Sequence, residues 1–188
     1  SDLKQFIIGP NYNFNYNSQA KPNHRKHNFY FNGNIDLSGN IIGIISGANI
    51  KEGNEKKIFN TPFSQYARFE ADLRHYWSLG GVRSLNTRFL AGVGFAYGNS
   101  YTMPFIKEFF AGGVNDIRAF RARTLGPGTY YAGNAKDSFI AEQPGDIKLE
   151  LNIEYRAKLF SILRWAAFID AGNVWTQKED SIRPGAKF

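Results

Sequence analysis

Apolar and polar residues alternate one for one along much of the chain, the period that marks strands with two unlike faces. Six windows carry this pattern. In the first, Phe6, Ile8, Tyr12, Phe14 and Tyr16 alternate with Ile7, Gly9, Asn11, Asn13 and Asn15, and Pro10 marks an edge or a bulge. In the second, Phe29, Phe31, Gly33, Ile35 and Leu37 alternate with Tyr30, Asn32, Asn34 and Asp36. The third sets Ala67, Phe69, Ala71, Leu73 and Trp77 against an almost wholly charged face of Arg68, Glu70, Asp72 and Arg74. The fourth sets Leu85, Thr87, Phe89, Ala91, Val93, Phe95 and Tyr97 against Asn86, Arg88, Gly92 and Gly94. The fifth sets Ile147, Leu149, Leu151, Ile153 and Tyr155 against Lys148, Glu150, Asn152, Glu154 and Arg156. The sixth, "RWAAFIDAGNVW" at residues 164–175, places Asp170 on the face opposite Trp165, Ala167 and Ile169.

No helical periodicity of comparable length competes with these windows, apart from the short apolar run "IIGII" at residues 41–45. The pattern predicts an all-β, antiparallel chain. The connections "SLGG" near Ser78 and "LFSIL" near Leu159 are short, whereas residues 47–62 and 98–145 form long ones. Counted along the chain, the short turns fall at one end of the sheet and the long loops at the other, as in outer-membrane barrels. The connection over residues 17–27 belongs to the short-turn side but is of middling length.

Alternation does not say which face meets water, since a soluble barrel with an apolar lumen has the same period as a membrane barrel with an apolar outside. Two details favour the membrane barrel. The apolar faces are rich in aromatic residues and end in Tyr16, Trp77, Tyr97, Tyr155 and Trp175, as at the aromatic girdles of membrane interfaces. The polar faces carry charges of both signs close together, as expected where residues neutralise one another across a lumen.

Composition narrows the classes further. A chain of 188 residues that is 43% hydrophobic, 16% aromatic and 21% charged is long and apolar enough to fold around a core. A mean hydropathy of −0.40 and the lack of an apolar run near ~18 residues exclude membrane-spanning helices, but barrel strands need only ~9–11 alternating residues. There is no cysteine, hence no disulfide framework and no thiolate chemistry. Any secretion signal is expected upstream of Ser1 or already removed. The net charge of +7 suits nucleic acid and an anionic membrane surface equally. "RKH" at residues 25–27 is too short for a nucleic-acid patch, so no nucleic-acid partner is expected. His24, His27 and His75 lack partners at metal-ligand spacing and read as surface or interface residues; no metal or cofactor is expected. "GVG" at residues 92–94 lies inside an alternating strand with no helix after it, and so reads as a thin wall or a bulge rather than a phosphate loop. Arg68, Glu70, Asp72 and Arg74 read as a neutralised lumen ladder rather than as paired catalytic carboxylates.

Six strands are fewer than the ~8 that close a membrane barrel, and the residues before Phe188 read as a loop. The expectation is therefore a fragment of a larger barrel, with residues 1–188 all within one barrel domain. One stretch stands apart from the alternation: "FFAGGVNDIRAFRARTLGPGTYY", residues 109–131, with three arginines among aromatics and glycines.

"FFAGGVNDIRAF" followed by "LGPG" resembles the sixth extracellular loop of the BamA/TamA-type outer-membrane assembly barrels, or bacterial surface antigen domain, whose hallmark is Val/Ile-Arg-Gly-Phe/Tyr. "GDIKLELNIEYRAKLF" and "AAFIDAGNVW" resemble the two strands after that loop, and "YARFEADLRHYW" a strand before it. The loop motif falls on Ile117, Arg118, Ala119 and Phe120, with loop glycines Gly112, Gly113, Gly126 and Gly128; Ala119 stands where the family has glycine. The resemblance implies an antiparallel transmembrane β-barrel of about 16 strands in the bacterial outer membrane. It implies a loop, about residues 98–145, that folds into the lumen, where Arg118 pairs with Asp170 and Glu154. It implies no enzyme activity. The implied function is the insertion and folding of nascent β-barrel proteins, with outer-membrane lipid and periplasmic or lipoprotein accessory subunits as partners. A TamA-like or two-partner-secretion transporter shares the loop motif. A passive porin or adhesin barrel and a soluble ligand-binding β-barrel are the alternatives of another class. On its own residues, Arg118 also fits a solvated loop arginine, and Asp170 in "DAG" a turn-forming acid near a strand end.

Overall fold

A computed structural model describes residues 5–20, 25–131 and 142–188. Its strands, among the described residues, are β1 (Asn11–Asn17), β2 (His27–Ser38), the two-residue β3 (Lys57–Ile58) and β4 (Thr61–Pro62), β5 (Tyr66–Gly80), β6 (Arg83–Ala96), β7 (Ile147–Phe160) and β8 (Leu163–Trp175). β3 and β4 pair only with each other. The other six form one antiparallel sheet in the order β1-β2-β5-β6-β7-β8, so each strand lies beside the next long strand in the chain. "IIGII" lies within a short helix, α1 (Asn40–Ser46), between β2 and β3.

β5 to β8 are 13 to 15 residues long, more than the ~9–11 that a tilted strand needs to cross hydrocarbon. β5–β6 and β7–β8 close through turns in which Gly80 pairs Arg83 and Phe160 pairs Leu163. At the opposite end, residues 97–146 connect β6 to β7, although these two strands are hydrogen-bonded neighbours. The short turns and the long loops thus occupy opposite ends of the sheet.

The register keeps the two faces unmixed across five strands. One transverse row joins Phe31, Leu73, Phe89, Leu151 and Ala171; its neighbour on the other face joins Asn32, Asp72, Leu90, Glu150 and Gly172. The apolar row is open, with Phe89 48% and Leu151 43% exposed, while Asp72 and Glu150 are 7% and 1% exposed. A protein folded for water on its outside shows the reverse. Exposed aromatics and buried ions describe the wall of an antiparallel transmembrane barrel, apolar toward lipid and charged toward the lumen. The six strands do not close on themselves.

The first window extends too far at its start. Phe6 and Ile8 lie outside the sheet, and pairing begins only past Pro10, whose carbonyl accepts the Leu37 amide at 3.1 Å. Pro10 has no N–H to continue the ladder toward the N-terminus. Phe6 instead forms an isolated parallel bridge with Phe63. At Gly92 and Gly94 the register runs without a shift, so the wall there is thin and not bulged. That thinness makes room for the long loop.

Candidate functional site

The loop after β6 folds back over the lumen face and begins as a narrow tongue. Phe109 and Gly145 exchange both backbone hydrogen bonds, at 2.8 and 2.9 Å, and the Leu125 amide donates to Ala111 at 3.2 Å. Phe109, Ala111 and Val174 form a small buried cluster flanked by Leu125. Phe109 lies flat on the wall because nothing projects from Gly92: a Cβ there would be 2.4 Å from the ring. Met103 uses the space above Gly94 in the same way. The Arg68 guanidinium covers the Phe109 ring at 4.1 Å from its centroid. The tongue turns through Gly112 and Gly113, with φ of 103° and 115°, angles that residues with a Cβ rarely adopt.

At the end of the tongue Arg118 is clamped to two strands. Its Nε and Nη2 donate to the two Asp170 carboxylate oxygens at 2.7 and 2.8 Å, and its backbone amide donates to Asp170 at 3.1 Å. Nη1 donates to Glu154 on β7. The guanidinium also stacks on Phe168, 3.7 Å from the ring centroid. The planar fork of arginine matches a carboxylate on one side and an aromatic face below, a combination lysine does not offer. The Asp170 side chain is only 4% exposed, so its charge depends on this partner. Asn152 ties the clamp together, donating to Asp170 at 3.1 Å and to the Asp116 carbonyl at 2.9 Å. Ile117, 3% exposed, packs toward Gly172 on β8.

Three further cations brace the loop, two from the wall and one from the loop itself. Lys148 donates to the Phe110 carbonyl at 2.9 Å and to Asp116 at 2.5 Å. Arg88 bridges Asp72 and Glu150 and donates to the Asn115 carbonyl at 3.0 Å. Lys107, on the loop's short 3-10 turn, reaches across to Asp36 on β2 at 2.7 Å. Sequence reasoning placed Arg88, Lys148, Glu150 and Asn152 on the polar face but did not connect them with the loop. Phe168 it missed, because an aromatic among polar positions breaks the alternation. The ladder of Arg68, Glu70, Asp72 and Arg74 is internally paired, Arg68 with Glu70 at 2.6 Å and Arg74 with Asp72 through two hydrogen bonds.

The remaining candidates fall in different places. Ala119 has φ of 72°, a left-handed conformation that suits the family's glycine better. Phe120 is half exposed and does not join the buried cluster. Gly126 and Gly128 both have positive φ and run beside the end of β8, where the Gly128 amide donates to Val174 at 2.7 Å. Asp170 is in the middle of β8, away from any turn. His27 and His75, expected as surface or interface residues, face each other at 3.0 Å across the β2–β5 pair, between the rings of Phe29 and Trp77. Forty-eight residues separate them, so only strand register could reveal the pair. No group of three or more metal-ligating side chains occurs among the described residues, and His24 lies outside them.

Away from the clamp, Glu108 and Asp146 lie together at the long-loop end of the sheet. Burial, reinforced by Asp146, pushes the Glu108 carboxyl up to about 7 against the opposing pull of Arg183. Asp146 is raised as well, chiefly by its own burial.

Residues 11–186 match the sequence model of the Omp85 superfamily domain. Among curated proteins, the outer membrane protein assembly factor BamA of Neisseria meningitidis serogroup B (strain ATCC BAA-335 / MC58) is 26% identical over 140 residues. That alignment covers 72% of this chain but 17% of the relative's length.

Proposed function

The chain belongs to the Omp85 superfamily, and on that premise we propose that it is the later part of the barrel of an assembly factor that inserts and folds other β-barrel proteins. It lies in the bacterial outer membrane. The observation that carries the reading is the Arg118 clamp, which fastens the end of a long loop to β7 and β8 at once. A loop held in this way acts on the wall as a brace, favouring one curvature of the strands it joins. Such work is mechanical and breaks no covalent bond, so the protein is not an enzyme. Its clients are nascent outer-membrane proteins, which add an edge strand to a weakly paired seam elsewhere in the same barrel domain. Periplasmic or lipoprotein subunits deliver them. The name of the Neisseria relative supports assembly over export.

The test is made in the full-length protein in its own host. Arg118→Glu places a carboxylate beside Asp170 and Glu154, and should deplete other folded outer-membrane barrels while this protein is still present and folded. Adding Asp170→Arg restores a pair of opposite charges and should recover them. If the other barrels stay at normal levels beside a folded Arg118→Glu protein, general assembly is the wrong function, and a dedicated exporter or a passive pore takes its place.

A further inference from the structure

The helix α1 stands on the outside of the wall, and its position follows from two contacts. Tyr97, one residue past β6 and in phase with its lipid-facing side chains, donates its hydroxyl to Asn40 at 2.6 Å, at the start of the helix. Gln65, one residue before β5 and of the same outward parity, lies directly beneath Gly43. A Cβ on Gly43 would be 2.3 Å from the Gln65 Oε1, so the helix backbone rests on that side chain. Gln65 is held in turn by the Asn99 amide, which donates to its Oε1 at 3.0 Å. The helix is thus seated on the lipid side of the sheet, at the level of the aromatic girdle.

With Gly43 and Asn40 turned to the wall, the opposite side carries Ile41, Ile44 and Ile45, spaced i, i+3 and i+4 on one face. They are 70%, 80% and 82% exposed. Three neighbouring isoleucines this open need a covering surface. The segment that follows is tied to the turn after β6, through Ile50 to Gly98 at 2.9 Å and Lys56 to Asn99 at 2.8 Å, and it carries Lys51, Lys56 and Lys57 together with Glu52 and Glu55, Glu55 being 3.8 Å from Lys57. Along the barrel axis the order is therefore apolar wall, tyrosine, isoleucine face and then a charged segment. The same order runs from hydrocarbon through the interface to headgroups.

We propose that α1 is an interfacial anchor that lays Ile41, Ile44 and Ile45 into the acyl-chain boundary of the membrane leaflet on the long-loop side. The occupant of this face is lipid, because the patch continues the lipid-facing band of β6 without a polar break at Tyr97. Amphipathic helices of this kind lie in the interface plane and bind in proportion to the apolar area they bury. The anchor fixes the depth of the barrel at one point of its circumference, independently of the strands.

These 188 residues contain no cysteine, and any cysteine elsewhere in the full-length protein is first replaced by serine. In the full-length protein, reconstituted into phosphatidylcholine vesicles, single cysteines replace Ile45 and, as a control, Val114, which is 83% exposed but lies on the lumen side. Neither side chain packs against the fold, so both variants should fold as the parent does. A polarity-sensitive fluorophore at Ile45→Cys should emit further to the blue than one at Val114→Cys, and brominated acyl chains should quench the first alone. A membrane-impermeant maleimide should react with Ile45→Cys about tenfold more slowly, the factor that ~1.4 kcal/mol of sequestration produces. Equal emission and equal labelling at the two sites would overturn the proposal. So would a blue-shifted Ile45 label that brominated lipid does not quench, which would assign the face to a protein surface, in these vesicles a second copy or another part of the same chain.

Discussion

Glu108 shows how much of this site depends on the state of single residues. Its carboxyl is raised to about 7 by burial and by Asp146, so the fold favours the protonated form. For an acid shifted upward, the folded chain binds protons more tightly than the unfolded chain. The docked loop is then most stable below the ordinary glutamate range and loses stability as pH rises from about 4.5 to about 7. Protease cleavage within the loop should quicken between pH 5 and pH 8 in the parent protein, and this pH dependence should shrink in Glu108→Gln. An unchanged pH profile in that variant would assign the effect to another group. Ala119 is a second residue under load, since its φ of 72° costs about 1 kcal/mol that glycine avoids. The sequence disclosed the substitution through the family pattern, and the geometry shows that Ala119 takes a left-handed conformation. Arg118 was legible for the same reason. Arg88 and Lys148 were not, because parity assigns a side chain to a face without saying what will cover that face.

At the scale of elements, alternation located the strands well, and its misses have identifiable causes. The first window included Phe6 and Ile8 because their parity fits, yet Pro10 interrupts the ladder and only Asn11 onward pairs with β2. "IIGII" was too short for a 3.6-residue period to show, and Gly39 and Gly47, both left-handed, set its ends. The glycines of β6 read as a thin wall or a bulge until the loop is placed on them. Gly92 in particular is a seat for Phe109, and its replacement tests whether loop and wall are separable elements. Gly92→Leu puts side-chain atoms where the ring now lies, evicting Phe109 while leaving the β5–β6 register intact. A cysteine at Ala111, 1% exposed beside Phe109, should then become more reactive to soluble thiol reagents, and the folded barrel should persist. Loss of the barrel itself would mean that the loop and the wall fold as one unit.

Over the whole molecule, the charge distribution explains what the net charge alone did not. Inside the wall, positive groups meet acids: Arg74 and Arg88 share Asp72, Lys148 meets Asp116 and Glu150, and Arg118 meets Asp170 and Glu154. The excess sits near the short turns, at Arg25, Lys26, Arg83, Arg156, Lys158 and Arg164. A chain of +7 is therefore close to neutral where it lines the lumen and basic at one rim. Composition reports the sum and conceals the arrangement, so nucleic acid and membrane looked equally suitable at first.

β6 and β7 are neighbours although residues 97–146 intervene, and this fixes an order in time. The strands must find each other across that long segment before Asp170 and Glu154 stand at the spacing that Arg118 needs. The clamp joins residues 52 and 36 positions apart, and contacts so distant in sequence form late. A late contact is absent from the folding transition state, so weakening it leaves the folding rate alone and speeds unfolding. Arg118→Ala in the full-length protein should refold into detergent micelles at the parental rate and unfold in urea faster. With about 3 kcal/mol at stake, the lower end for breaking a buried pair, the increase should be on the order of a hundredfold. A slower folding phase would instead show the clamp helping to draw the strands together. The arginine is in this sense a latch: it does nothing for the door while it swings, and sets how long it stays shut.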